Sequence, residues 1–305
     1  ILCLECNKLL HPETNTQRFC SIECSANFRK TDNLCSICKS VITNFSKHKR
    51  YCSDDCKKIG RVSCSKVQIG TKIKVLSTTD GTLNIKGLDL SWVEIEYYKN
   101  HQIKTGFLWK GFIAVGNTTR GNTTFLTTID SKYSKKVQRD DYEYAGEFYR
   151  ISVKAIDSEN QIISEKSFSK ELSESHFFQN SAISSWGLKD LNSIYRISFS
   201  GEACGIPTLH YYLGWNGREF LELPEKYDIG DAGAYYHTEE FVFPKEKGGQ
   251  PDTIIKNITE AENTDENLEG YTFLVKKSIE YYSWDGKNYK LIKTQKLKPY
   301  IEKED

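Results

Sequence analysis

Methionine is absent from all 305 residues, an unusual composition at this length. No apolar run approaches the ~18 residues that a membrane span needs, and no charged-then-apolar leader precedes Cys3. The sequence therefore predicts neither signal peptide nor membrane partner. Phosphate loop, dinucleotide fingerprint and metalloprotease helix are likewise missing. A secreted disulfide framework is not there either: eight of the ten cysteines sit at metal-ligand spacing, and Cys64 and Cys204 lie far apart. Together these absences predict a reducing, cytoplasmic setting.

What is present begins with a pattern written twice. Cys3, Cys6, Cys20 and Cys24 read C-x2-C-x13-C-x3-C, and Cys35, Cys38, Cys52 and Cys56 repeat it 32 residues later. The register extends to Leu2 and Leu34, Arg18 and Arg50, Phe19 and Tyr51, and Ser21 and Ser53. Four soft thiolates on two tight turns suit tetrahedral zinc at Zn–S distances of ~2.3 Å. Two zinc ions per chain are expected, each held within one repeat, because only ten residues separate Cys24 from Cys35. With all four positions filled by protein, no place is left for a reactive water, so the metal reads as structural. His11 and His48 occupy non-equivalent places and read as surface histidines. Ser21 and Ser53 are placed to cap short helices. Segment 1–61 resembles the treble-clef zinc fingers of the F/Y-C-S-x-x-C kind, a resemblance that implies nucleic-acid or protein contact.

Net charge is +1 overall but uneven: +6 over residues 1–66, +2 over 67–118 and −7 over 119–305. Two four-thiolate zinc sites would lower the first value to about +2. Lys47, Lys49, Arg50, Lys57, Lys58 and Arg61 still surround the second finger and could track phosphates, or form a solvated basic face.

From Gly70 the periodicity becomes two. Lys72–Leu76 alternates, Thr79-Asp80-Gly81-Thr82 predicts a turn, and Trp92–Tyr97 and Lys104–Trp109 alternate again. Segment 62–118 resembles the bacterial SH3-like domain. That resemblance implies a small barrel for peptide contact, with Trp92 and Trp109 either lining a ligand groove or packing in the barrel.

Residues 119–305 carry strand-like runs at 147–153, 195–199, 209–213, 239–243 and 271–275, and acids around Glu260–Glu269 predict an exposed loop. A second repeat aligns Tyr211-Tyr-Leu-Gly-Trp215-Asn-Gly217 with Tyr281-Tyr-Ser-Trp284-Asp-Gly286. Asn-Gly and Asp-Gly between aromatic strands predict tight hairpins. Alternation sends Tyr211 and Tyr212 to opposite faces, with one of them expected to be free for a partner. These hairpins resemble blades of FG-GAP-type propellers; a β-sandwich is the alternative. Asp190-Leu-Asn192 resembles the start of that family's calcium loop, but the Asp-Gly continuation is missing and no calcium is expected.

The fold expectation is therefore mainly β: a small α+β zinc head, an SH3-like barrel and a C-terminal propeller-like or sandwich domain. Function is expected to be non-enzymatic binding or scaffolding, with a protein or peptide partner. Nucleic-acid binding through the second finger is one alternative. The other is an enzyme near Cys204 and His237, where a thiol and a base occur in one domain.

Overall fold

A computed structural model of the chain describes residues 66–139, 142–231, 233–265 and 272–303. The eight paired cysteines and the basic residues of the second finger lie outside the described residues. The protein is mainly β: among the described residues it forms seventeen strands and a single 3-10 turn at Lys110–Phe112. They divide into two compact units, with the break near Lys110.

The first unit holds a three-stranded sheet in the order β1 (Ile73–Ile85), β2 (Leu88–Lys99), β3 (Gln102–Trp109). Alternation decides its faces. Val93, Ile95 and Tyr97 are buried along β2, while the residues between them are half-buried. The turn predicted at 79–82 does not form, and β1 runs straight through it. Gly81 is not left-handed, which an Asp-Gly hairpin turn would require, and β-branched Thr78, Thr79 and Thr82 favour extension. The chain turns instead at Lys86-Gly87 and at Asn100-His101, all four residues having positive φ.

The second unit starts with a four-stranded meander, β4 (Gly116–Arg120), β5 (Thr123–Arg139), β6 (Tyr142–Ile156) and β7 (Ile162–Glu171). A ten-stranded sheet follows. Its first part is β8 (Phe177–Ser184), β9 (Ser193–Ser200), β10 (Thr208–Trp215) and the short β11 (Phe220–Glu222). Its second part is β12 (Lys226–Asp231), β13 (Tyr235–Val242), β14 (Thr253–Asn263), β15 (Thr272–Trp284), β16 (Tyr289–Lys296) and β17 (Tyr300–Lys303). The order is β16-β15-β14-β13-β12-β10-β9-β8, with β11 on β10 and β17 on β15. Glu260–Asn263, expected in a loop, belong to β14 and pair with β15.

Two cores explain why β9 and β10 are so apolar. Tyr195, Ile197, Phe199, Leu213 and Trp215 face Phe125, Ile151, Val153 and Ala155 of the meander. Ile194 and Tyr212 point the other way, into a core with Leu191, Phe243, Ile254 and Trp284. A strand covered on both faces loses its polar alternation. Tyr211 and Tyr212 thus do go to opposite faces, but neither is free: Tyr211 stacks on Phe168 at 4.8 Å and Tyr212 is buried.

The Trp-Asx-Gly repeat is structural. Asn216 Oδ1 accepts from the amides of Arg218 and Glu219, and Asp285 Oδ1 accepts from those of Lys287 and Asn288. Each turn is a four-residue loop with a left-handed glycine, Gly217 or Gly286, and each follows a buried tryptophan. Trp284 Nε1 donates to the Lys189 carbonyl at 2.9 Å.

Candidate binding surface

Where β10 hands over to β12 and β13, charged side chains gather on one face. Asp228 Oδ2 accepts from Lys226 Nζ at 3.0 Å and lies 2.9 Å from His210 Nε2, while its Oδ1 accepts the Glu239 amide at 2.9 Å. Burial alone would raise the Asp228 carboxyl, but hydrogen bonds from His210, the Glu239 amide and Lys226 outweigh it and hold the group well below the usual carboxylate range. Glu239 is buried, yet both its oxygens are engaged. Oε1 lies 3.2 Å from His237 Nε2 and 3.3 Å from Lys256 Nζ, and Oε2 accepts the Tyr227 amide at 3.1 Å. His237 Nδ1 lies 3.3 Å from Glu260, and Tyr227 stacks flat on the imidazole at 4.2 Å. Lys256 also pairs with Glu280, whose other contact, the Tyr282 hydroxyl at 2.5 Å, is pushed up by burial and then by that carboxylate.

This network ties β10, β12, β13, β14 and β15 together by pairing each buried charge, as burial requires. The cleft beside it, lined by His210, Glu225, Lys226, Tyr227, Glu239 and Lys256, holds about 170 Å³, below the roughly 300–1,000 Å³ of small-molecule pockets. Both nitrogens of His237 are taken by carboxylates, which leaves none for a thiol. Cys204 is exposed, in the turn whose Gly205 amide bonds the Gly230 carbonyl. A Cys–His catalytic pair needs a direct hydrogen bond, and His237 is committed elsewhere. Among the described residues no three or more His, Cys, Asp or Glu are grouped to hold a metal ion, and no helix is long and apolar enough to cross a membrane.

The two tryptophans of the expected groove are opposite one another across β2 and β3. Trp109 is buried, and its Nε1 donates to the carbonyls of Leu83 and Leu90, each at 3.0 Å. It packs the sheet and offers a ligand no face. Trp92 is half-buried beside it.

One surface that stands open among the described residues is the outer edge of β16 and β17. Both strands pair with β15, and no further strand follows them among the described residues. Register sorts their side chains. Tyr289 and Leu291 lie opposite Trp284 and Tyr282 on one face. A bulge at Tyr281/Tyr282 leaves Ile292 unmatched, and Lys290 and Lys293 fall opposite Ser283 and Tyr281 on the other face. Leu291, Ile292 and Ile301 are 46%, 59% and 55% exposed, high for aliphatic side chains on paired strands. Lys293 lies over the Tyr281 ring at 5.3 Å.

Neither the network nor this edge was read from the sequence. His210, Lys226, Asp228, Glu239 and Lys256 are scattered over 47 positions and meet only through the strand order. The edge did leave a sign, three lysines and two adjacent aliphatics in the run 289–296, but nothing in the run says that it ends a sheet. Compared with family models, curated proteins and solved structures, the chain matches none of them.

Proposed function

We propose that the chain is a non-enzymatic binding or scaffold protein, and that its C-terminal unit captures partners on the β16–β17 edge. One observation carries this reading: large aliphatic side chains remain exposed on strands whose outer edge pairs with no strand among the described residues, the template on which a partner strand can be added. The charged network supports it from the other side, since its charges pair with one another, although His210 Nδ1 is buried without a hydrogen-bond partner among the described residues. A core on each face of β9 and β10 favours a sandwich over a propeller, and the three-stranded sheet with its buried Trp109 is compatible with an SH3-like module. In the same reading two zinc ions, on Cys3, Cys6, Cys20 and Cys24 and on Cys35, Cys38, Cys52 and Cys56, organise the head, because four thiolates per site match structural zinc. Cysteine usage supports a cytoplasmic setting.

Panning a random peptide library against the full chain tests the edge. Selected peptides are expected to lose binding to a Leu291→Asp, Ile301→Asp variant. Peptides that bind this variant as well as the parent would overturn the reading.

A further inference from the structure

The edge has a chemical polarity that says what it would accept. Six lysines and one glutamate lie between Lys287 and Lys303, inside a C-terminal region whose net charge is −7. Lys290, Lys293 and Lys296 are exposed, and none pairs with a carboxylate among the described residues. Over 289–293 the charge is sorted by face, while Lys296, opposite Ser278, and Lys303, opposite Thr272, fall on the face of Leu291 and Ile301. Lys290 and Lys293 share the face of Lys277 and Tyr281, whereas Tyr289 and Leu291 share the face of Tyr282 and Trp284.

Lysines on an edge strand can simply guard it against aggregation. A guard works by denying apolar surface to an incoming strand, yet Leu291, Ile292 and Ile301 stay uncovered here. A second copy of this chain is a poor occupant. Antiparallel pairing of two such edges would bring the lysine rows together on one face, and like charges directly opposite are destabilising. A segment of opposite sign with its apolar residues on alternate positions matches both faces at once.

We propose, building on the binding reading above, that the β16–β17 edge takes up an extended acidic segment of another protein as an added strand. Carboxylates at alternate positions meet Lys290 and Lys293, and the apolar side chains between them cover Tyr289 and Leu291. Backbone hydrogen bonds hold the segment, and the two side-chain rows select it.

The test uses labelled, capped peptides of about eight residues, an ordinary strand length, titrated against the full chain by fluorescence anisotropy. One alternates Glu with Val, a second Lys with Val and a third Thr with Val. A fourth carries the Glu and Val of the first in two blocks, and a fifth is the first with N-methylated backbone. The Glu–Val alternation is expected to bind at least about tenfold more tightly than the others, with affinity falling as salt rises. A Lys290→Glu, Lys293→Glu variant should transfer the preference to the Lys–Val peptide. Equal binding of the block or N-methylated peptide would mean unspecific charge attraction and overturn strand addition. Equal binding of the Lys–Val or Thr–Val peptide would overturn the acidic partner while leaving the edge a docking strand. No binding of any peptide would overturn both the acidic partner and the docking edge.

Discussion

Trp284 and Trp186 show how differently one side chain can weigh. Trp284 is buried, with its indole nitrogen satisfied by the Lys189 carbonyl, whereas Trp186 is 40% exposed on a loop. Trp284→Ala should cost about 3–5 kcal/mol in urea unfolding, and Trp186→Ala should stay within about 0.5 kcal/mol, as exposed substitutions do. Asp228 gives a prediction in pH. Its folded carboxyl is held below the unfolded value, so its contribution to stability is present above that value and is lost as pH falls through the folded one. Acid unfolding of the parent should therefore be steeper than that of Asp228→Asn, which has no proton to take up. At neutral pH the variant should be the less stable of the two, because His210 and Lys226 lose their carboxylate. Parallel acid profiles for the two proteins would contradict this role.

The elements were legible where a strand has one wet face or a turn needs a special residue. Trp92–Tyr97 and Lys104–Trp109, expected as strands, lie within β2 and β3, where Val93, Ile95 and Tyr97 fill the covered face. Asn216-Gly217 and Asp285-Gly286 were readable because both turns need a left-handed glycine. Asp80-Gly81 misled for the same reason, since the dipeptide signals a turn only if its glycine goes left-handed. A β-carbon on Gly286 would sit 2.6 Å from Asp190 Oδ2, whereas at Gly205 it would meet nothing within 4 Å. Both glycines are left-handed, so each Ala variant should lose about 1–2 kcal/mol from backbone strain. Gly286→Ala should lose measurably more, and equal losses would mean that the approach of the two loops is not tight. On the two-zinc reading proposed for the head, Cys20→Ser is expected to remove one zinc of two by elemental analysis. Metal binding supplies roughly 10–16 kcal/mol of apparent folding energy to such units, so the second site should keep its ion if each repeat is self-contained. Loss of both ions would point to ligands shared between the repeats.

For the molecule as a whole, period and composition were enough for a mainly β chain, but not for the order in which its strands pair. Nothing local to Lys256 announces that it will lie between Glu239 and Glu280, because those contacts span three strands. The outer edge was hidden in the same way: being last in a sheet is a property of the topology, not of the residues. That edge is also where the functional account can be checked without any partner. In an edge strand, residues bonded to the neighbour alternate with residues whose amides point outward. Residue-resolved hydrogen exchange by NMR across Tyr289–Lys296 should therefore show protected and fast-exchanging amides alternating along β16, interrupted at the bulge by Ile292, while β14, paired on both sides, is protected throughout. Uniform protection of β16, at the level of β14, would mean the edge is already covered and would contradict the account.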